Sequence, residues 1–202
     1  MKVSDVLECS LPEWYGNFEK ITQPTVCIPL PSEVLEYLRE NGSLVLPREC
    51  NKESYDGKED DYDDFGDVDW DDNNVNDADS DQKTFPEFSK EVEKQISNFG
   101  GEVFIKLNWS SPKDATWMAL NNSLRCNSLS QIYLLLKGSD FIAHDLNQPF
   151  KDCDDANPEK LEEVQYSLVV RRWQDINPGT EFRYQIPIQS LCLDFYSLSD
   201  VG

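Results

Sequence analysis

One run of like charge divides this sequence before any periodicity is counted. Between Glu53 and Asp81 there are 14 acidic residues against a single base, Lys58, a net charge of −13 over 29 residues. Carboxylates this dense repel one another, and the tract offers too little apolar surface to offset the entropy of ordering. It reads as an extended, disordered linker. Its interleaved aromatics, Tyr62, Phe65 and Trp70, allow a second reading, docking of the tract on a basic groove of a partner. Asp67, Asp69 and Asp71 alternate as calcium ligands do, but the central Gly and terminal Glu of an EF-hand loop are missing.

Setting the tract aside changes what the composition says. The whole chain carries −21, yet the other 173 residues hold 17 bases and 25 acids, or −8, which is ordinary for a globular sequence. The acid excess excludes a general nucleic-acid binder, which needs Lys and Arg to displace counterions from phosphates. It also disfavours an anionic membrane surface. No apolar run approaches the roughly 20 residues that span a bilayer. Asp5 and Glu8 interrupt any signal-peptide core, and no two of the six cysteines form a C-x-x-C pair. A reducing, cytoplasmic location with free thiols follows. The glycosylation triplets at Asn41, Asn108 and Asn121 then carry no consequence. His144 is the single histidine, too few for a histidine metal site, and reads as a surface or capping residue.

Outside the tract, helical and extended periods alternate. Leu7, Leu11, Trp14, Tyr15 and Phe18 suggest an amphipathic helix over residues 1–20, interrupted near Pro12. Thr25 to Leu30 reads as a strand. Pro31 opens a helix that Asn41-Gly42 ends, and Leu44 to Pro47 reads as a brief strand. Phe88, Val92, Ile96 and Phe99 mark a second helix closed by Gly100-Gly101, followed by a strand from Val103 to Leu107. A third helix starts at a Ser128 or Ser130 cap. Val164 to Trp173 is the strongest strand. Pro178-Gly179 reads as a turn into another strand at Glu181. The alternation predicts a mixed α/β class, α+β in its arrangement.

The residues able to carry chemistry are basic. Lys106 closes a buried strand, where an ammonium can sit over a phosphate as a compact point charge. The next loop adds Asn108, Ser110, Ser111, Lys113 and Asp114, and Arg171, Arg172 and Arg183 add guanidinium forks suited to phosphate or carboxylate. Trp109, Trp117 and Trp173 offer stacking surfaces. A polyanion site is one reading; strand-end bases paired with nearby acids are the other. No P-loop or G-x-G-x-x-G is present.

Several segments together resemble the cell division cycle protein 123 family. They are Trp14-Tyr15, Ile28-Pro-Leu-Pro31, Phe85-Pro-Glu-Phe88, Val103-Phe-Ile-Lys-Leu-Asn-Trp-Ser-Ser-Pro-Lys-Asp-Ala115, Ser139-Asp-Phe-Ile142, Val169-Val-Arg-Arg-Trp173 and Pro178-Gly-Thr-Glu-Phe-Arg183. The resemblance implies a chaperone, not an enzyme, that assembles translation initiation factor 2 by binding the C-terminal domain of its gamma subunit, and so supports translation initiation and the cell cycle. It implies a cytoplasmic monomer with no nucleic-acid or membrane partner. It implies an ATP-grasp-like fold holding ATP and Mg2+ between two lobes. Carried over by motif, Lys106 touches the phosphates; Asn108, Trp109, Ser111, Lys113 and Asp114 form the loop over the nucleotide; Arg171, Arg172 and Trp173 form the hinge; Glu181 and Arg183 line the site. Ser167 stands where the family has an acid. The alternative is an ATP-dependent ligase or phosphotransferase, by analogy with that fold.

On this resemblance, residues 1–52 form the N-terminal part of a lobe, 53–83 the acidic linker, 84–183 the rest of the lobe and its hinge, and 184–202 a divergent tail. The tail shows no resemblance and reads as a splice form, frameshift or gene-model error. Most of the second lobe, with its magnesium ligands, is then missing. That implies weak or no binding of Mg-ATP by this chain, and exposure of apolar hinge residues such as Leu168 and Val170.

Overall fold

Alternating apolar residues commit a strand to burying one face and leaving the other. The computed structural model describes residues 1–40, 44–54, 82–119, 122–157, 159, 161, 164–176 and 179. Within them β1 (Thr25–Pro29), β2 (Val103–Lys106), β3 (Arg125–Cys126) and β4 (Ser167–Arg172) form one sheet in the order β1-β4-β2-β3. Every pairing is antiparallel. The mixed α/β class is therefore as the sequence predicts. The two-residue β3 has no period to read and was not anticipated.

The register sorts the side chains by face. Opposite residues share a face in an antiparallel ladder, and the pairs Val26↔Val170, Ile28↔Leu168 and Ile105↔Val170 run along one of them. This is the core face. The helices that supply the rest of the core are α3 (Ser32–Arg39), α4 (Pro86–Asn98), α5 (Leu129–Gly138) and α6 (Asp140–Asn147). Each contributes apolar residues three or four apart: Val34 and Leu38, Val92 and Ile96, Leu129 and Ile132, Ile142 and Leu146. Leu168 and Val170 are 0% exposed within this core. The expected exposure of these two residues is thus corrected. They lie on the central strand, flanked by β1 and β2.

Local chemistry sets the helix ends. Pro12 falls in the first turn of α2 (Leu11–Phe18), so residues 1–20 form two helices, the first being α1 (Val3–Glu8). Pro31 takes the N-cap of α3 rather than its first turn; the Asn41-Gly42 stop lies outside the described residues. Beyond α4, Gly100 and Gly101 take φ of +89° and +90°, and Gly101 N–H donates to Ile96 O at 2.9 Å. Only glycine enters that left-handed region without strain. Ser128 Oγ accepts Gln131 N–H at the start of α5. Ser139 does the same for α6, accepting Ile142 N–H at 3.2 Å.

The expected strand at Leu44–Pro47 does not form. Its carbonyls go to side chains instead: Val45 O accepts Tyr37 Oη–H at 2.9 Å, and Leu46 O accepts from Gln82 Nε2 at 2.8 Å. These bonds have a further effect. Arg48 N–H donates to Lys83 O at 3.0 Å, and Phe85 N–H donates to Glu49 Oε1 at 3.0 Å. Residues 46–49 and 82–85, on either side of the acidic tract, are therefore tied together. Residues 55–81 of the tract, the tail from residue 180 and the Glu181 strand lie outside the described residues; the expected linker at 53–83 is corrected at both ends, because residues 53 and 54 close a 3-10 helix, Arg48–Ser54, and Gln82 and Lys83 are bonded to Leu46 and Arg48. Replacing residues 55–81 by a short Gly/Ser bridge is expected to leave the melting temperature within about 3 °C of the native chain, because loop length enters stability only logarithmically. A loss of ten degrees or more would make the tract part of the fold.

Cys9, Cys27, Cys126 and Cys153 are free thiols, and burial pushes that of Cys126 up to about 12. Among the described residues, no helix is long and apolar enough to cross a membrane. His144 is exposed on α6, where the sequence places it.

Candidate functional site

Lys106 is the last residue of β2, and its register decides where it points. The pairs Lys106↔Val169, Phe104↔Arg171, Cys27↔Val169 and Thr25↔Arg171 occupy the face opposite the core. Val169 is fully buried there between its partners. Lys106 and Arg171 therefore share one face, each half-buried. Among the described residues neither has an ion-pair partner. Arg171 Nε is shielded from solvent and has no hydrogen-bond partner among the described residues. Burying an unmatched cation is unfavourable, so such a pair marks a place where an anion would be welcome.

The proton affinities agree. Burial lowers the Lys106 ammonium below its ordinary value, the charges of Arg171 and Lys113 lower it further, and Asp145 opposes them. Burial lowers Arg171 in the same way, partly offset by Tyr15 and Cys27. A lysine whose folded value lies below the unfolded one destabilises the fold while charged. The penalty is complete below the folded value and lifts as pH rises toward the ordinary 10.5. Lys106→Met is therefore expected to raise the melting temperature at neutral pH by roughly 2–4 °C, the shift for about 1 kcal/mol in a chain this long. The gain should shrink in alkaline buffer. A fall in melting temperature at pH 7 would mean that the ammonium has a partner.

The loop after Lys106 is built differently from its motif reading. Asn108 is 3% exposed, and its amide is committed within the protein. Nδ2 donates to Gln165 O at 2.9 Å and Ser10 Oγ at 3.1 Å, and Oδ1 accepts Ser167 N–H at 2.8 Å. Trp109 Nε1 donates to Val6 O at 2.9 Å, and its ring stands edge-on to Tyr166. Asp114 caps α6: Oδ1 accepts Ser139 Oγ–H at 2.6 Å, and Oδ2 accepts Asp140 N–H at 2.7 Å. Ser111 is half-buried, its carbonyl accepting Lys113 N–H at 2.8 Å. Lys113 is exposed.

Arg171 and Arg172 are not a pair. Strand alternation puts Arg172 opposite Val103, on the other face, where it is exposed. Trp173 N–H donates to Glu102 O at 3.0 Å, and its Nε1 donates to Asp175 Oδ1 at 2.9 Å. Glu181 and Arg183 lie outside the described residues. The structure thus puts Lys106 and Arg171 on one face, with the exposed Lys113 near enough to act on the Lys106 charge, and spends Asn108, Trp109 and Asp114 on holding the loop and the start of α6. Asp145 was missed. Its buried carboxylate accepts Ser110 N–H at 2.8 Å and Ser110 Oγ–H at 2.9 Å. The signal was available: Ile142 and Leu146 put Asp145 on the inward face of α6.

The sequence profile of the D123 family matches residues 14–192. The chain belongs to the D123 family. That match runs nine residues past Arg183, into the segment where the sequence reading found no resemblance. The chain is 44% identical over 188 residues to a protein of Xenopus tropicalis named translation initiation factor eIF2 assembly protein, covering 91% of this chain and 54% of that protein. It is 41% identical to a protein of the same name from Sclerotinia sclerotiorum, covering 89% of this chain and 44% of that one. The structure of Cdc123 from Schizosaccharomyces pombe superposes with a TM-score of 0.65 at 31% identity, covering 89% of this chain and 58% of that one. The chain spans about half the length of the curated relatives it matches.

Proposed function

We propose that this chain acts in assembly of translation initiation factor eIF2, by contacting the C-terminal domain of the gamma subunit, and that it holds the phosphates of Mg-ATP on the sheet face carrying Lys106 and Arg171. The observation that carries the reading is the 44% identity over 91% of this chain with a relative named for eIF2 assembly. Because the relatives are named as assembly proteins, we read the nucleotide as a bound cofactor rather than a substrate of group transfer. We place the protein in the cytoplasm, as a monomer that supports translation initiation and the cell cycle.

The residues present fit a polyphosphate. Two half-buried cations share a face, and among the described residues neither has an ion-pair partner and Arg171 Nε has no acceptor. Lys106 would hold phosphate as a point charge and Arg171 as a guanidinium donor, with the exposed Lys113 adding charge at the rim. A bound nucleotide would supply the negative charge that these groups lack. In an ATP-grasp-like arrangement of this lobe, Arg171 to Trp173 would form the hinge; Glu181 and Arg183, which the resemblance assigns to the site, lie outside the described residues. Asn108, Trp109 and Asp114 act on the loop from beneath rather than on the nucleotide. Among the described residues no group of three or more His, Cys, Asp or Glu is placed to hold a metal, so we assign magnesium to none of them.

Recovery of the eIF2 gamma subunit on the immobilised 202-residue chain tests the assembly reading. Retention of the subunit, and its loss when the C-terminal domain is removed, is the expected result. If a full-length relative retains the subunit and this chain does not, the reading fails for this chain.

A further inference from the structure

The turn between Lys106 and Lys113 is anchored from several sides. Leu107 N–H donates to Ser110 O at 2.9 Å and closes it. Asn108 ties it to Ser10 and to the start of β4, and Trp109 ties it to α1. Those anchors are neutral. Ser110 is held instead by a buried carboxylate, Asp145, which takes both its N–H and its hydroxyl. The backbone of Asp145 is fixed in turn, its carbonyl accepting Tyr166 Oη–H at 2.9 Å.

A buried acid is an unfavourable anchor where a neutral one would serve. Burial raises the Asp145 carboxyl above its ordinary range despite the two Ser110 bonds, with His144 and Lys106 opposing. Its carboxylate is near enough to Lys106 to act on that ammonium, as Arg171 and Lys113 do, without forming an ion pair with it among the described residues.

We propose that Asp145 is a positioning residue of the phosphate face: through Ser110 it fixes the 107–110 turn, so that Lys106 and Lys113 present their ammonium groups to one polyphosphate. The inference rests on the reading that this face takes a polyphosphate. Its physical content is preorganisation, since a turn whose backbone is fixed before binding loses less entropy on binding.

The probe is inorganic tripolyphosphate without metal, titrated into the isotope-labelled 202-residue chain and followed by NMR. Asp145→Ala is expected to weaken binding about five- to tenfold, the scale of lost preorganisation, and Ser110→Ala to weaken it less. Asp145→Asn should bind as well as the native chain or better. Its amide oxygen can accept Ser110 N–H, its nitrogen can donate to Ser110 Oγ, and a negative charge near the anion is gone. Ser110→Thr, which keeps the hydroxyl, should also bind normally. A purely structural role would lower melting temperatures and leave the affinity of the folded protein unchanged. Native-like affinity in both alanine variants would overturn the proposal while leaving the phosphate face intact. If Asp145→Ala does not fold, the Ser110→Ala and Ser110→Thr pair decides alone. Absence of any tripolyphosphate shift in the native chain would instead overturn the reading of the face, and the role of Asp145 with it.

Discussion

Asn108→Ala is expected to lower the melting temperature by roughly 6–12 °C, corresponding to about 3 kcal/mol. The side chain is an internal joint between the 107–110 turn, the Ser10 cap position of α2 and the entry to β4. Removing it leaves Ser167 N–H and Gln165 O without their partner, and a buried group left unsatisfied costs about 1–3 kcal/mol. Asn108→Asp should be no milder, because it faces the Gln165 carbonyl with an acceptor in place of a donor. The measurement is thermal unfolding followed by circular dichroism. A change under about 2 °C in the alanine variant would show that the amide is not a joint, and would favour direct contact with nucleotide instead. The same burial bears on the Asn108-Trp-Ser triplet: the amide that a glycan would need is enclosed in the folded protein.

Asn108 also shows where sequence reading succeeds and where it stops. Its block, Lys106 to Ala115, was legible as functional because the residue types are unusual together at a strand end. Which of those residues face a ligand was not legible, because a buried asparagine amide and a ligand-facing one have the same sequence signature. Elements with local causes were read well. Ser128 caps α5 and the two glycines end α4 through backbone conformations that neighbours cannot override. Arg171 and Arg172 failed as a pair for a different reason: adjacent strand residues point to opposite faces, so adjacency argues against a shared site. The segment from Leu44 to Pro47 has strand-like residues, but tertiary bonds from Tyr37 and Gln82 take its carbonyls. Asp145 required two steps, placement on the inward face of α6 and then packing of α6 against the loop, and only the first is periodic.

Charge followed the same logic. The −21 of the whole chain is concentrated in one tract whose flanks the fold holds together, so it says little about the face where Lys106 and Arg171 meet. An acidic protein can hold a basic site when the acids lie elsewhere in the chain. The cations concerned are also half-buried, which makes their local field stronger than their number suggests.

Leu168→Ala should be comparably damaging, and it decides how the sheet is used. Leu168 sits on β4, paired with Ile28 across the β1 ladder, and is 0% exposed within the core that α3 to α6 cover. Truncating a fully buried leucine removes about 2–5 kcal/mol, the lost transfer free energy plus the cavity left behind. Its place on the central strand, with neighbours on both sides, limits collapse of that cavity, so we expect about 3 kcal/mol and a fall of roughly 6–12 °C. Val169→Ala is the informative comparison, because Val169 is equally buried but lies on the Lys106 face, outside the main core cluster. Loss of two methyl groups there should cost less than the leucine truncation, and it should alter the tripolyphosphate response of the neighbouring Lys106. Were Leu168 part of an open hinge surface, its truncation would cost under about 0.5 kcal/mol and make the protein more soluble. Near-native stability in the leucine variant would therefore return Leu168 to that surface and remove the central strand from the core.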